Sequence, residues 1–133
     1  MWLQNALYKL FFGTPSKPIF QVKPLLTASE QRFYAVLTEA VNDKHRITPQ
    51  HPVHTIVCFK YPQKHSIDYL LTDWQTWLPY AVIELDDSSH NRIDRQVRDS
   101  FVNQKLRGAG LRVIRQPVQR AYDVRALRLA IYA

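Results

Sequence analysis

Apolar residues between Ala28 and Val41 recur at helical spacing, at Phe33, Tyr34, Val36, Leu37, Ala40 and Val41, and Thr27 followed by Glu30 has the spacing of a capping box. A first helix over about Ala28–Val41 is predicted. The stretch His45–Lys60 contains Pro49 and Pro52 and alternates weakly, which suggests one strand and an irregular connection without fixing either. From His65 the period becomes two: HSIDYLLT sets Ile67, Tyr69 and Leu71 on one face and Asp68 and Leu70 on the other. Asp73–Thr76 supplies a turn, and LPYAVIELD, Leu78–Asp86, is a β-rich apolar run ending in acids, as expected of a central strand covered on both sides. These two strands should form a hairpin. Asp94–Ala109 then reads as a helix with Val97, Phe101, Val102 and Leu106 inward and Gly108 or Gly110 closing it. Leu111–Gln116 reads as a strand, and a last helix from about Asp123 turns Val124, Leu127 and Ile131 inward. Strands interleaved with helices predict an α/β fold.

The 133 residues, 46% hydrophobic, suffice for one core. Residues 1–24 read as a separate N-terminal segment. Met1–Phe12 carries an apolar stripe (Trp2, Leu3, Ala6, Leu7, Leu10 and Phe11) and is too short to span a bilayer, while Gly13–Pro24 holds three prolines and reads as an extended linker. The stripe suits packing on the core, a partner, or a membrane surface. The domain itself is assigned to residues 25–133. A single cysteine, Cys58, excludes an internal disulfide and fits a reducing, cytoplasmic setting; a lone cysteine is ordinarily a small buried hydrophobe.

A net charge of +7 favours a polyanionic partner, nucleic acid or an anionic membrane. Six Lys and two Arg precede Glu84, whereas one Lys and nine Arg follow it. Arg grips phosphate with a planar fork, so the second half suits phosphate contact better, through Arg92, Arg95, Arg98 and Lys105 on the loop and helix after Glu84.

Glu84 and Asp86 are two apart on a strand and leave it on the same face, and Asp68 can oppose them across the hairpin. Three converging carboxylates repel one another unless a cation intervenes, and Mg²⁺ or Mn²⁺ with oxygen ligands is the natural one. Such a site fits phosphodiester hydrolysis, in which the metal polarises the phosphate and activates a water. His90, four residues beyond Asp86, is placed to act as a general acid or base. Glu30 and Gln104 are accessory candidates, although Glu30 also fits its capping role.

The strings HSIDYLL and AVIELDDSSH, with Asp94, Arg98 and Asp99 downstream, then GAGLRVIRQ and YDVRAL, resemble the domain-of-unknown-function 2726 family over about Leu25–Ile131. That family is grouped with the PD-(D/E)XK nucleases and is similar to very-short-patch-repair endonucleases. The resemblance implies a restriction-endonuclease-like three-layer core, a mixed sheet flanked by helices, with Asp68 as first acid and Glu84 as second. Asp86 stands where the superfamily usually has Lys, so either another group, His90 first, replaces that Lys or catalysis is lost.

The expectation is therefore a metal-dependent nuclease acting on DNA ahead of RNA. Its competitor is a catalytically inactive nuclease fold that only binds nucleic acid. Zinc held among His45, His51, His54, Cys58 and His65 is a weaker alternative, since their spacing matches no familiar zinc module. Cys58 as a nucleophile is weaker still, because nothing in the sequence orients a base beside it.

Overall fold

The computed structural model describes residues 10, 21–58, 65–86 and 93–133, with backbone alone over 93–99. The first described helix, α1, is Ala28–Ala40; Glu30 N–H donates to Thr27 Oγ1 and the Thr27 N–H donates to the Glu30 carboxylate, the reciprocal capping box its sequence encodes. Strand β1 is His45–Pro52, followed by a single 3-10 turn at Val53–Thr55. Strands β2, Ser66–Asp73, and β3, Pro79–Asp86, form the expected hairpin. Helix α2, Ile93–Gly108, leads to β4, Arg112–Pro117, and α3, Val124–Tyr132, closes the chain.

The sheet runs β1-β2-β3-β4, antiparallel between the first three strands and parallel between β3 and β4, with α2 as the crossover that parallel pairing requires. Both faces are covered. Phe33, Leu37 and Ala40 of α1 and Leu127 and Ile131 of α3 pack on Tyr69, Leu71, Ala81 and Ile83; Val102 and Leu106 of α2 pack with Leu70 and Val82 on the other face, joined by Val53 and Ile67. The alternation read in β2 holds for Tyr69 and Leu71 against Leu70, but Ile67, expected on the face of Tyr69 and Leu71, instead joins the cluster of Leu70 and Val53. Each fully buried Leu, Ile or Phe contributes roughly 1.5–3 kcal/mol. The prolines of β1 are tolerated because β1 is an edge strand among the described residues.

Some sequence expectations are corrected. Phe101 does not face inward: it is 44% exposed, with the Lys105 ammonium 5.2 Å from its ring centroid. Cys58 is exposed rather than buried. Of the nine late arginines, Arg112 donates to the carbonyls of Ile131 and Ala130, and Arg128 to those of Ala40 and Glu39, so both tie down helix C-termini instead of facing a phosphate. The N-terminal stripe falls outside the described residues apart from Leu10, which is exposed. Among the described residues no helix is long and apolar enough to cross a membrane.

Helix α2 ends where Gly110, at φ 82°, lets its N–H bond to the Arg107 carbonyl and that of Leu111 to the Leu106 carbonyl. The space around a Cβ there is open, so the cost of a side chain is conformational. Gly110→Ala is expected to lower the unfolding free energy by about 1 kcal/mol in urea titration, with an unchanged m-value.

Candidate functional site

The hairpin turn sets the geometry on which the site depends. Asp73 Oδ1 accepts from the Gln75 and Thr76 N–H groups and from the Thr76 hydroxyl, bonds that hold its carboxyl below the ordinary value. The register that follows pairs Tyr69 with Ile83 and Leu70 with Val82, which brings Asp68 opposite Glu84 across the hairpin. The two carboxyls lie within hydrogen-bonding reach of each other. Asp68 Oδ2 also accepts from the Leu85 N–H at 2.7 Å, which fixes it against β3.

Burial pushes Glu84 up to about 9, reinforced by the negative charge of Asp68 and by the hydrogen bond that a protonated Glu84 donates to it. Burial also raises Asp68, against the pull of the Leu85 and Glu84 hydrogen bonds; Glu30 adds to the rise and His65 opposes it. Two carboxyls this close cannot both ionise, so near neutral pH the pair retains a proton. Glu84 Oε1 is buried and accepts no hydrogen bond among the described residues. A buried carboxyl oxygen without a donor is costly and marks a place where a ligand would be welcome.

Asp86 does not join this pair. Arg115 of β4 binds it through Nε at 2.9 Å and through Nη2, forming a half-exposed ion pair. Among the described residues no three His, Cys, Asp or Glu side chains converge as a metal site, so the expected three-carboxylate cluster is reduced to two acids. The zinc alternative also loses its geometry. His45 is engaged with Asn42 Oδ1 and the Tyr132 hydroxyl and packs on Tyr80, while His51 meets Thr55 Oγ1 at 2.6 Å.

Glu30 reaches the acid pair electrostatically from α1, but its carboxylate is committed to Thr27 and to Gln50, whose Nε2 donates to Oε1 at 2.9 Å. Gln50 lies between the two β1 residues that flank Asp68 in register, and it adopts φ 52°. A non-glycine residue there is uncommon. Sequence reasoning missed both Gln50 and Arg115. Nothing in the sequence marks the positive φ of a glutamine, and Arg115 meets Glu84 only through the parallel β3–β4 register. His65 was visible, but only as a zinc candidate.

His90 and Arg92 lie outside the described residues, and Arg95 and Arg98 fall on α2 where side chains are not described. Gln104 and Lys105 are exposed on the last turns of α2. At the end of the sheet where β3 reaches Asp86, by the end of β4 and the start of α3, a hollow of about 250 Å³ is lined by Gln116, Gln119, Tyr122, Asp123, Ala126 and Leu127.

Tyr69 ties the α1 layer to this corner by donating from its hydroxyl to the Glu30 carbonyl at 2.7 Å. Burial first, and the Glu30 and Asp68 charges second, push the phenol well above its usual value, so it remains a donor at every working pH. Tyr69→Phe removes this tie between the sheet and α1 and is expected to cost about 1 kcal/mol, seen as a lower melting temperature.

The model of one family, described as protein of unknown function DUF2726, matches residues 22–133. The chain belongs to that family. The match covers every helix and strand from α1 to α3, including both acids of the pair. No curated protein and no solved structure matches the chain.

Proposed function

We propose that this DUF2726 protein is a metal-dependent nuclease with a restriction-endonuclease-like core, hydrolysing phosphodiesters in DNA. The observation that carries the reading is the Asp68–Glu84 pair: two facing carboxyls, one holding a proton well above the ordinary range and leaving a buried oxygen without a donor. A purely structural role does not explain it, since apolar residues at these positions would avoid the desolvation of both acids.

The donor set fits a hard divalent cation. Asp68 and Glu84 offer only oxygens, as Mg²⁺ and Mn²⁺ prefer, and a cation between them would take the place of the shared proton. When bound, the ion would polarise the phosphate and lower the pKa of a water. Asp68, held by the Leu85 N–H, keeps its orientation whether or not Glu84 carries a proton. Asp86 occupies the position where the superfamily has Lys, yet it holds Arg115 there, which restores a positive charge beside Glu84 through an ion pair. His90 remains the proposed general acid or base.

The same Asp86–Arg115 pair favours the second reading, an inactive nuclease fold that binds nucleic acid, because it leaves two converging acids where three were expected. The deciding experiment offers plasmid, linear duplex and single-stranded DNA with Mg²⁺ or Mn²⁺, against an EDTA control. Cleavage only with metal is the expected result. Binding without cleavage under every condition would discard hydrolysis and leave the binding module.

A further inference from the structure

At the opposite end of the sheet, three large apolar side chains of the β2–β3 tip are mostly exposed: Trp74 at 54%, Trp77 at 61% and Leu78 at 66%. The tip is held in shape. Trp74 N–H donates to the Lys44 carbonyl at 2.7 Å, and Trp77, at φ 62°, returns its N–H to the Asp73 carbonyl. Arg46 of β1 lies against both indoles, its guanidinium carbon 3.8 Å from the ring centroid of Trp74 and 3.7 Å from that of Trp77.

Stacking uses the faces of a guanidinium and leaves its in-plane N–H donors for a partner. Among the described residues Arg46 has no hydrogen bond and no ion pair, and its Nε is buried without an acceptor. Its cross-strand neighbour Thr72 likewise has a buried hydroxyl without a partner. Two buried polar atoms without partners therefore lie where the guanidinium meets the two exposed indoles. The carboxylate within the tip, Asp73, is engaged by the turn it caps.

We propose that this tip is a binding site for single-stranded nucleic acid, in which Trp74 and Trp77 stack on bases and the end of the Arg46 guanidinium holds a phosphate. The chemistry is complementary on each count. An ordered column of indole and guanidinium planes accepts further planes, every base has one, and the unused donors match a phosphate oxygen. The net charge of +7 draws such a strand in and repels a second copy of this chain. A lipid surface would need no ordered stack of planes. Thr72 and Asp68 are four residues apart on β2, about 13 Å along the strand, or about four steps of a stacked strand, so a bound strand could extend to the acid pair. Binding at the tip does not depend on that pair's chemistry.

The test is fluorescence anisotropy of a dye-labelled oligothymidine titrated with the full chain, in EDTA and at two salt concentrations. Wild type is expected to bind, with affinity falling as salt rises. The double variant Trp74→Ala, Trp77→Ala should bind at least about tenfold more weakly, and Arg46→Lys, which keeps the charge but loses the fork, about fivefold more weakly. A double variant that melts like wild type and still binds as tightly would overturn the proposal. So would wild-type binding to anionic phosphatidylserine vesicles that the oligonucleotide does not compete. If the double variant does not fold, Arg46→Lys and quenching of wild-type tryptophan emission by unlabelled oligothymidine decide the matter; unchanged emission with unchanged Arg46→Lys affinity rejects the site.

Discussion

Glu84→Ala is expected to reduce metal-dependent DNA cleavage by about 10³-fold or more, because the lost ligand carries several kcal/mol of charge stabilisation and every 1.36 kcal/mol is a factor of ten. The variant should nevertheless fold. Glu84 holds a proton in burial and keeps one oxygen without a donor, so removing it relieves a desolvation cost while opening a small space between β2 and β3. Circular dichroism melts of both proteins in EDTA separate loss of the site from loss of structure. A folded Glu84→Ala protein that cuts DNA at the wild-type rate would remove the acid pair from the chemistry. Asp68→Asn tests the other half, but it also weakens a hydrogen bond that positions β3, so its effect on melting should be the larger of the two.

The second large effect is on stability against pH. Glu84 titrates near 9 in the folded protein and near 4.3 in an unfolded chain. Between those values the folded state holds a proton that the unfolded state has released, so stability falls as pH rises: the contribution is complete below the unfolded value and gone above the folded one. Asp68, also raised, acts in the same direction. His51 acts oppositely. Burial, then the neighbouring His54, lower its value, so its charged form is disfavoured on folding and stability rises with pH through the ordinary histidine range. The window from pH 7 to 9 therefore isolates the acid pair. In EDTA, wild type is expected to lose up to about 1 kcal/mol per pH unit there, or about 3–5 °C in melting temperature per unit. Glu84→Gln should flatten the slope. Adding Mg²⁺ should raise the wild-type melting temperature, more at pH 9 than at pH 7, because the ion competes with a proton that is easier to displace at high pH. A wild-type slope no different from that of Glu84→Gln would mean that Glu84 ionises normally.

Local signals in this chain are strong where a single element satisfies itself. The capping box of α1, the Asp73 turn, the alternation of β2 from Tyr69 to Leu71 and the start of α3 at Asp123 all appear in the structure where the sequence puts them. The pairing of Asp68 with Glu84 was legible for the same reason, since a short turn fixes hairpin register and register fixes facing side chains. Strand β1 was not securely legible because its prolines weaken the pattern, and they are permitted only by its place at the sheet edge.

The amino-acid sequence alone determined the α/β order of elements, the two acids that meet, the family to which they belong and the basic charge that invites a polyanion. Tertiary structure decided the rest through contacts between residues far apart in the chain. Parallel pairing of β3 with β4 sent Asp86 to Arg115 and away from the acid pair, helix packing engaged Arg112 and Arg128, and the edge position of β1 set Arg46 between two tryptophans. The physical reason is range: a cap or a tight turn is settled within a few residues, whereas the partner of a charged side chain depends on which strand the whole fold brings beside it.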